Sequence, residues 1–188
     1  EIVKNRKNPN EDLSILSFPR KDNFAALEQA NILKIGILIK QYNIKKFEDL
    51  SVEVLEKIRE HITKFCWINI RSGQAEPWSE KEIFERIIHI EGDFSQKLVE
   101  LENHKVESQE KTEKLLKELN ADERTINLVD ITKELVYFRT YRTDYLNKTF
   151  SNIKPLLEAI AKRRKLTHRE VLHLRIKEIG ENKQVEKD

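Results

Sequence analysis

The sequence has one cysteine, no methionine, and only four residues each of glycine and proline among its 188 residues. A lone cysteine cannot form a disulfide within the chain, and chains without disulfides are typical of the cytosol. An all-β fold needs many turns, which draw on glycine and proline, so the scarcity of both argues against it. No apolar run approaches the roughly 20 residues that a membrane-spanning helix needs, and we find no signal-peptide pattern. These absences predict a helical, cytoplasmic protein with no membrane partner.

The residue patterns that bind nucleotides or hold metals are also missing. The sequence contains no Gly-x-x-x-x-Gly-Lys-Ser/Thr loop, no Gly-x-Gly-x-x-Gly and no Gly-x-Ser-x-Gly. His168 and His173 are spaced so that they fall on different faces of a helix. His89 and His104 have no histidine or cysteine partner at a zinc-site spacing. We therefore predict that this chain has no catalytic residue, no metal site and no cofactor of its own.

What the sequence does have is charge arranged around apolar stripes. Charged residues make up 36% of the chain and hydrophobic residues 38%, a balance that favours amphipathic helices with solvated outer faces. The apolar spacing predicts an all-α fold, an irregular bundle of about six to seven helices over residues 23–180. Ser79 and Glu82 have the spacing of a capping box, which marks a helix start. Thr167 and Glu170 repeat that pattern near the C-terminus.

Three segments are expected to differ from this bundle. Residues 1–22 are polar and contain Pro9 and Pro19, so we expect an irregular lead-in. Residues 181–188 are expected to form a frayed C-terminal tail. Residues 93–120 include a long polar stretch, for which the sequence leaves two alternatives: an extended helical hairpin arm that protrudes, or a mobile loop.

Residues 122–150 have the clearest helical pattern in the chain. Apolar residues step by three or four along it, at Leu128, Ile131, Leu135, Phe138 and Tyr145. Such a stripe predicts the buried face of a helix. We expect a separate last helix to begin near Ser151, with Pro155 in its first turn, where the missing amide matters little.

Two arginines interrupt that stripe. Continuing its spacing leads to Arg142, so an arginine is expected on the buried face, with Arg139 three residues before it. A buried charge is costly unless it is paired. One alternative is a structural ion pair with a carboxylate of another helix, with stacking on Tyr141 or Tyr145. The others are that Arg139 and Arg142 line an interface or cleft that receives an anion such as phosphate, or that they lie on a solvated face.

A basic patch follows, made of Lys162, Arg163, Arg164, Lys165 and Arg169. Such a patch is necessary for nucleic-acid binding but is weak support for it alone. Positive charge is favourable at a helix C-terminus in any case, and no aromatic residues alternate with the basic ones to stack on bases. We therefore expect a solvated helix end and no nucleic-acid partner.

Trp67, Trp78 and His61 belong to one region of the sequence. Tryptophan is largely buried in most proteins, so we expect all three residues to form a corner of the core rather than a ligand cage. Cys66, which has an aromatic residue on each side, is expected to be a small buried apolar side chain.

Several motifs occur in an order that resembles a known family. They are EHITKFCW at 60–67, EPWSE at 76–80, FRTYRTD at 138–144, PLLEAIA at 155–161, LT at 166–167 and EI at 178–179. This order is similar to that in enzymes that use phosphoenolpyruvate (PEP), namely PEP synthase and pyruvate phosphate dikinase. The similar part is their central helical segment, between the ATP-grasp and phosphohistidine modules, and it covers residues 40–180 here.

The resemblance implies a parent phosphotransferase that uses ATP and Mg²⁺ and passes phosphoryl groups through a histidine. None of the histidines here follows paired glycines as the family's phosphohistidine does, and the ATP-grasp lysine and glycine-rich loop are missing. No catalytic residue of the family therefore carries over, although Arg139 and Arg142 match a recurrent arginine pattern. The chain begins at Glu1 without a methionine, so we expect a fragment of a longer product.

Three functions are compatible with these observations. The preferred hypothesis is a non-catalytic helical connector that holds neighbouring catalytic modules of the same parent chain. The first alternative is a nucleic-acid- or anion-binding helical module that uses the basic residues of 162–175. The second is a protein-interaction module that docks or dimerises through residues 93–120.

Overall fold

The computed structural model describes residues 6–68 and 77–180, and those residues form eight α-helices and no strand. The predicted all-α fold class is therefore confirmed. In chain order the helices are α1 Pro9–Ser17, α2 Phe24–Gln41, α3 Val52–Phe65, α4 Glu80–Ile88, α5 Phe94–Glu118, α6 Glu123–Arg164, α7 His168–Leu172 and α8 Ile176–Gly180. Short 3₁₀ turns lie at Phe47–Asp49 and Cys66–Ile68. The predicted tail 181–188, the first five residues of the lead-in and residues 69–76 lie outside the described residues.

The main core lies where α2, α3, α4 and the start of α5 meet. Apolar residues at helical spacing on each of these helices face this centre: Ile32, Leu33, Ile35, Ile39, Val54, Ile58, Ile83, Phe84, Ile87 and Phe94. Ile58, Ile83 and Ile87 have no exposed surface. Each such side chain stabilises the fold by about 1.5–3 kcal/mol through burial.

Local side-chain caps fix where these helices begin. The Asn23 side chain accepts a hydrogen bond from the amide of Ala26 at the start of α2. The two predicted capping boxes are confirmed, because Ser79 and Glu82 at α4, and Thr167 and Glu170 at α7, make both reciprocal contacts. Each cap satisfies amides that the first helical turn would otherwise leave without partners.

The helices α5 and α6 form a hairpin, and α1 lies across it. Leu16 of α1 packs against Leu115 of α5 and near Val129 of α6. The Nζ of the buried Lys133 donates to the Thr112 hydroxyl at 2.8 Å, which ties α6 to α5. Residues 93–120 are therefore mostly helical, and the two ends of α5 pack on α2 and on α1.

The expectation of an irregular lead-in over residues 1–22 is wrong for the part that contains α1. Pro9 occupies the first turn of α1, where a missing N–H breaks no hydrogen bond and the fixed φ suits a helix. The helix then buries Leu16 against the hairpin. Pro9 therefore starts a helix and does not prevent one.

The expectation of a new helix at Ser151 is also wrong. The helix α6 runs through this point without a break for 42 residues, with Pro155 inside it. At 1.5 Å per residue it is about 63 Å long. It ends where Lys165 adopts a left-handed conformation with φ 57°, and α7 then folds back so that Val171 and Ala161 are buried.

Candidate functional site

One side of α6 leaves a long row of apolar residues exposed. Its apolar and aromatic residues are between 36% and 62% exposed: Leu128, Ile131, Leu135, Phe138, Tyr145, Leu146, Ile153 and Leu156. We call these eight residues, with Arg139 and Arg142 among them, the outer face. From Leu128 to Leu156 it extends along about 42 Å of helix.

The outer face repeats with the alternating steps of three and four residues that are found in helix–helix seams. Leu128, Ile131, Leu135 and Phe138 occupy successive positions of this repeat, and Arg142 and Tyr145 continue it. The sequence pattern was therefore read correctly as one stripe, but the prediction that it is buried is wrong. Periodicity identifies residues that share a face and does not say which face the rest of the chain covers.

Charge is divided between the two sides of α6. On the inner side, Asp130 accepts a hydrogen bond from Arg20 at 2.6 Å and Glu134 from Lys21 at 2.9 Å. Glu158 lies 3.9 Å from Nζ of the largely buried Lys154. Within α6 the outer face has no carboxylate between Leu128 and Leu156. It is therefore apolar and positively charged.

The structure places Arg139 and Arg142 on this outer face, and both are exposed. Among the residues that the structure describes, neither guanidinium has an ion-pair or hydrogen-bond partner. The predicted structural ion pair of Arg142, and its stacking on Tyr141 or Tyr145, are therefore not present in the described residues. The cation that does approach one of these two rings is Lys148, near Tyr145, and Lys21 lies over the neighbouring ring of Tyr137.

Behind the arginines, an aromatic group joins α6 to the start of α2. The Phe24 ring lies 5.0 Å from Trp67, 6.1 Å from Tyr141 and 6.0 Å from Tyr145, measured between ring centroids. Tyr141 and Tyr145 are themselves 4.5 Å apart. These contacts hold α6 against the bundle at the level of Arg139 and Arg142, so the two arginines project from a supported part of the helix.

Asp144 lies at the same contact between α6 and the start of α2. Its Oδ2 is buried and has no hydrogen-bond partner among the described residues. Burial raises the pKa of this carboxyl group above its usual value, and a hydrogen bond from the amide of Phe24 acts in the opposite direction. The carboxyl group thus sits at the N-terminus of α2, where a negative charge is favourable but partly desolvated.

The basic patch has a partly structural role. The Arg164 guanidinium donates to the carbonyl oxygen of Glu178 at 3.1 Å and to that of Ile179. It therefore ties the end of α6 to α8. Lys162, Arg163, Lys165 and Arg169 are exposed around this helix end.

A buried polar cluster in the core was not predicted. Glu28 of α2 is 5% exposed, and Arg86 of α4 binds both of its carboxylate oxygens, at 2.7 and 3.2 Å. Nε2 of His61 lies 3.4 Å from the same carboxylate, and its Nδ1 lies 2.7 Å from Oδ1 of Asn31. Burial raises the pKa of Glu28, but the contacts with His61 and Arg86 outweigh burial and leave the pKa below its usual value.

The sequence held a signal for this cluster. Glu28 lies on the apolar stripe of α2, four residues before Ile32 and seven before Ile35, as Arg142 does on the stripe of α6. In both helices a charged residue lies on an apolar stripe, but Glu28 is buried and Arg142 is exposed. The difference arises because α3 and α4 cover the Glu28 side of α2, whereas the Arg142 side of α6 is uncovered. Only the tertiary arrangement separates these cases.

The predicted aromatic corner is split into two places. Trp67 is 3% exposed and packs on Phe24, whereas Trp78 is half-buried and stacks under Arg86, 4.4 Å from its guanidinium carbon. His61 is buried beside Phe65, as part of the Glu28 cluster. Cys66 is half-buried rather than fully buried.

In residues 6–68 and 77–180, no three histidine, cysteine, aspartate or glutamate side chains come together in a group that could hold a metal ion. None of the helices in the same part of the chain is both long enough and apolar enough to cross a bilayer.

Comparisons with protein-family models, with curated proteins and with solved structures find no match for this chain.

Proposed function

We propose that the chain is a non-catalytic helical connector of a phosphotransferase-like, PEP-utilising enzyme. In this role it holds a nucleotide-binding module and a phosphohistidine module on a common support. The outer face of α6 is the observation that carries the proposal. A long helix that is anchored on one side and apolar on the other suits a strut against which a second module packs.

The position of the family-like motif supports the same role. The stretch 138–144 carries FRTYRTD. Tyr141 and Asp144 of this stretch face the bundle, where they contact Phe24. Phe138, Arg139 and Arg142 are exposed. The residues of the motif that face the bundle hold α6 in place, and the exposed ones are available to a neighbouring module. A connector requires both kinds of contact.

The coding sequence on both sides of these 188 residues tests the proposal directly. We expect an ATP-grasp module upstream and a histidine preceded by paired glycines downstream. A flanking sequence with neither module contradicts the proposal. As a biochemical check, the isolated chain incubated with γ-labelled ATP or with labelled PEP should incorporate no label, and phosphohistidine on this chain would contradict the non-catalytic role.

The outer face also favours one of the alternatives, a protein-interaction module outside any phosphotransferase. The docking surface would then be α6 and not residues 93–120, because α5 is packed at both ends by α1 and α2. Light scattering of the chain alone distinguishes self-association from a monomer that needs a different partner. Nucleic-acid binding by the basic patch is not favoured, since Arg164 is engaged by backbone carbonyls.

A further inference from the structure

We propose that the outer face of α6 docks a partner helix that is apolar along one stripe and acidic beside it, with carboxylates that pair with Arg139 and Arg142. This inference rests on the proposed function in taking the outer face as a docking surface. It adds the chemistry of the surface that docks there.

The size of the outer face fits a specific interface. Its eight apolar or aromatic side chains are 36–62% exposed and extend along about 42 Å of helix, whereas one partner contributes about 800 Å² to a standard protein–protein interface. Monomeric proteins rarely leave a contiguous apolar patch of more than a few hundred Å² uncovered. The three-four spacing further suits a helix as the partner, because knobs from one helix fit holes on the other at that spacing.

The charge of the outer face determines which helix fits. Arg139 and Arg142 lie within the apolar stripe, with no carboxylate on their own helix face to pair with. A partner that covers them without supplying carboxylates would leave two guanidinium groups desolvated and unpaired, which is strongly unfavourable. A partner with two or more carboxylates at this level forms bidentate, charge-assisted hydrogen bonds instead.

A second copy of the chain fits this face less well. In a symmetric parallel pair, Arg142 of one copy would lie against Arg142 of the other inside the seam. An antiparallel pair centred on the stripe would also bring Arg142 of the two copies together, because position 142 is the midpoint between Leu128 and Leu156. Both arrangements place like charges opposite each other, and the outer face has no carboxylate to neutralise them. Like charges that face each other across an interface are unfavourable, so they disfavour a second copy as the partner.

A membrane surface also fits less well. Helices that lie in the bilayer interface carry their cations on the polar side, away from the buried apolar stripe. Here Arg139 and Arg142 lie within the stripe. The opposite side of α6 packs against α1 and forms ion pairs with Arg20 and Lys21 in the segment between α1 and α2.

The test uses the full chain and two fluorescein-labelled peptides of about 28 residues, long enough to follow the outer face. Both peptides carry leucine at the seam positions. One has glutamate beside the seam and the other has lysine. Fluorescence anisotropy should show that the acidic peptide binds at least tenfold more tightly than the basic one, and that binding weakens when the ionic strength is raised from about 0.05 to about 0.5 M.

Two variants and a matched control locate the interaction. Arg139→Glu/Arg142→Glu should reverse the preference between the peptides. Arg163→Glu/Arg169→Glu makes the same change of charge at exposed sites beyond the outer face and should leave the preference unchanged. Leu135→Gln/Phe138→Gln alters only exposed side chains, so the chain should keep its helical circular dichroism while losing affinity for the acidic peptide.

Four results would overturn the inference. They are equal binding of the two peptides, no binding of either at about 100 µM, a dimer in sedimentation equilibrium that Leu135→Gln/Phe138→Gln dissociates, or cosedimentation with phosphatidylserine vesicles that depends on Arg139 and Arg142. If the flanking modules are found but one of these four results occurs, the proposed connector role stands, and the inference of an acidic partner helix on the outer face is wrong. If the peptides behave as expected but the modules are missing, the docking surface stands without the phosphotransferase.

Discussion

Gly36 of α2 lies directly against the ring of Phe94 at the start of α5. A Cβ atom at position 36 would lie 2.5 Å from Cδ1 and from Cε1 of that ring. Glycine at this point is therefore a packing requirement, since it lets the largest core residue of α5 approach the backbone of α2. Where no such close approach exists, glycine inside an apolar helical stretch only weakens the helix.

Gly36→Ala should make the protein less stable by about 1–2 kcal/mol, because the clash with Phe94 exceeds the gain in helix propensity. Chemical denaturation with a linear extrapolation measures this. The control is the same substitution in a Phe94→Leu background, where the ring is gone and alanine should be neutral or stabilising. A stabilising effect of Gly36→Ala in the wild-type protein would contradict the close contact.

Arg86 and Arg59 provide a matched comparison of a buried and an exposed ion pair. Both arginines contact a carboxylate at 2.6–2.7 Å, but Glu28 is 6% exposed at its side chain whereas Glu80 is 35% exposed. Arg86→Ala should cost about 2 kcal/mol, because it leaves a buried carboxylate without its main partner. Arg59→Ala should cost less than about 1 kcal/mol, as exposed ion pairs do. Equal losses in denaturation experiments would mean that the Glu28 carboxylate is hydrated in solution.

The Glu28 carboxylate should also give the protein a stability that acid removes. Its pKa lies below the usual value because contacts with His61 and Arg86 outweigh burial. A depressed carboxyl pKa contributes stability above the unfolded-state pKa, and this contribution is lost as the pH falls through the folded-state pKa. The gap in unfolding free energy between wild type and Glu28→Gln should therefore be constant near neutral pH and narrow below about pH 4.5. A gap that widens in acid contradicts this sign.

Asp144 should show the opposite dependence. Burial raises its pKa, so the folded state binds the proton more tightly than the unfolded state does. The charged form then costs stability at neutral pH, and that cost disappears as the pH falls below the unfolded-state value. Asp144→Asn, which retains an acceptor for the Phe24 amide, should be more stable than wild type at pH 7 and equal to it at about pH 3. A variant that is less stable than wild type at neutral pH would show that the carboxylate is stabilised by its position at α2.

Local features of the fold could be predicted from sequence, because they depend on neighbouring residues. The capping boxes at Ser79 and Thr167 are made within one helical turn. The stripe from Leu128 to Tyr145 also follows from spacing alone.

Features that depend on the rest of the chain could not be predicted in the same way. Burial of Leu16 needs the hairpin beneath α1, and pairing of Glu28 needs α4 beside α2. Phe138 and Arg142 are exposed because no other described helix packs over their side of α6. A local sequence pattern does not show which side of a helix the rest of the chain covers. The spacing therefore placed Arg139 and Arg142 on one face of α6 together with the apolar stripe, but the prediction that this face is buried is wrong.

Pro155 distinguishes the continuous helix α6 from the two helices expected from sequence. Inside α6 it removes the hydrogen bond that residue 155 would donate to the carbonyl of Ser151. Pro155→Ala should therefore stabilise the protein by about 1–2 kcal/mol, less than the full helix-interior penalty because proline also restricts the unfolded chain. The control is Pro9→Ala at the first turn of α1, where no such bond exists, with an expected change within about 0.5 kcal/mol. If both substitutions give the same small change in denaturation experiments, the helix is interrupted at Ser151 in solution.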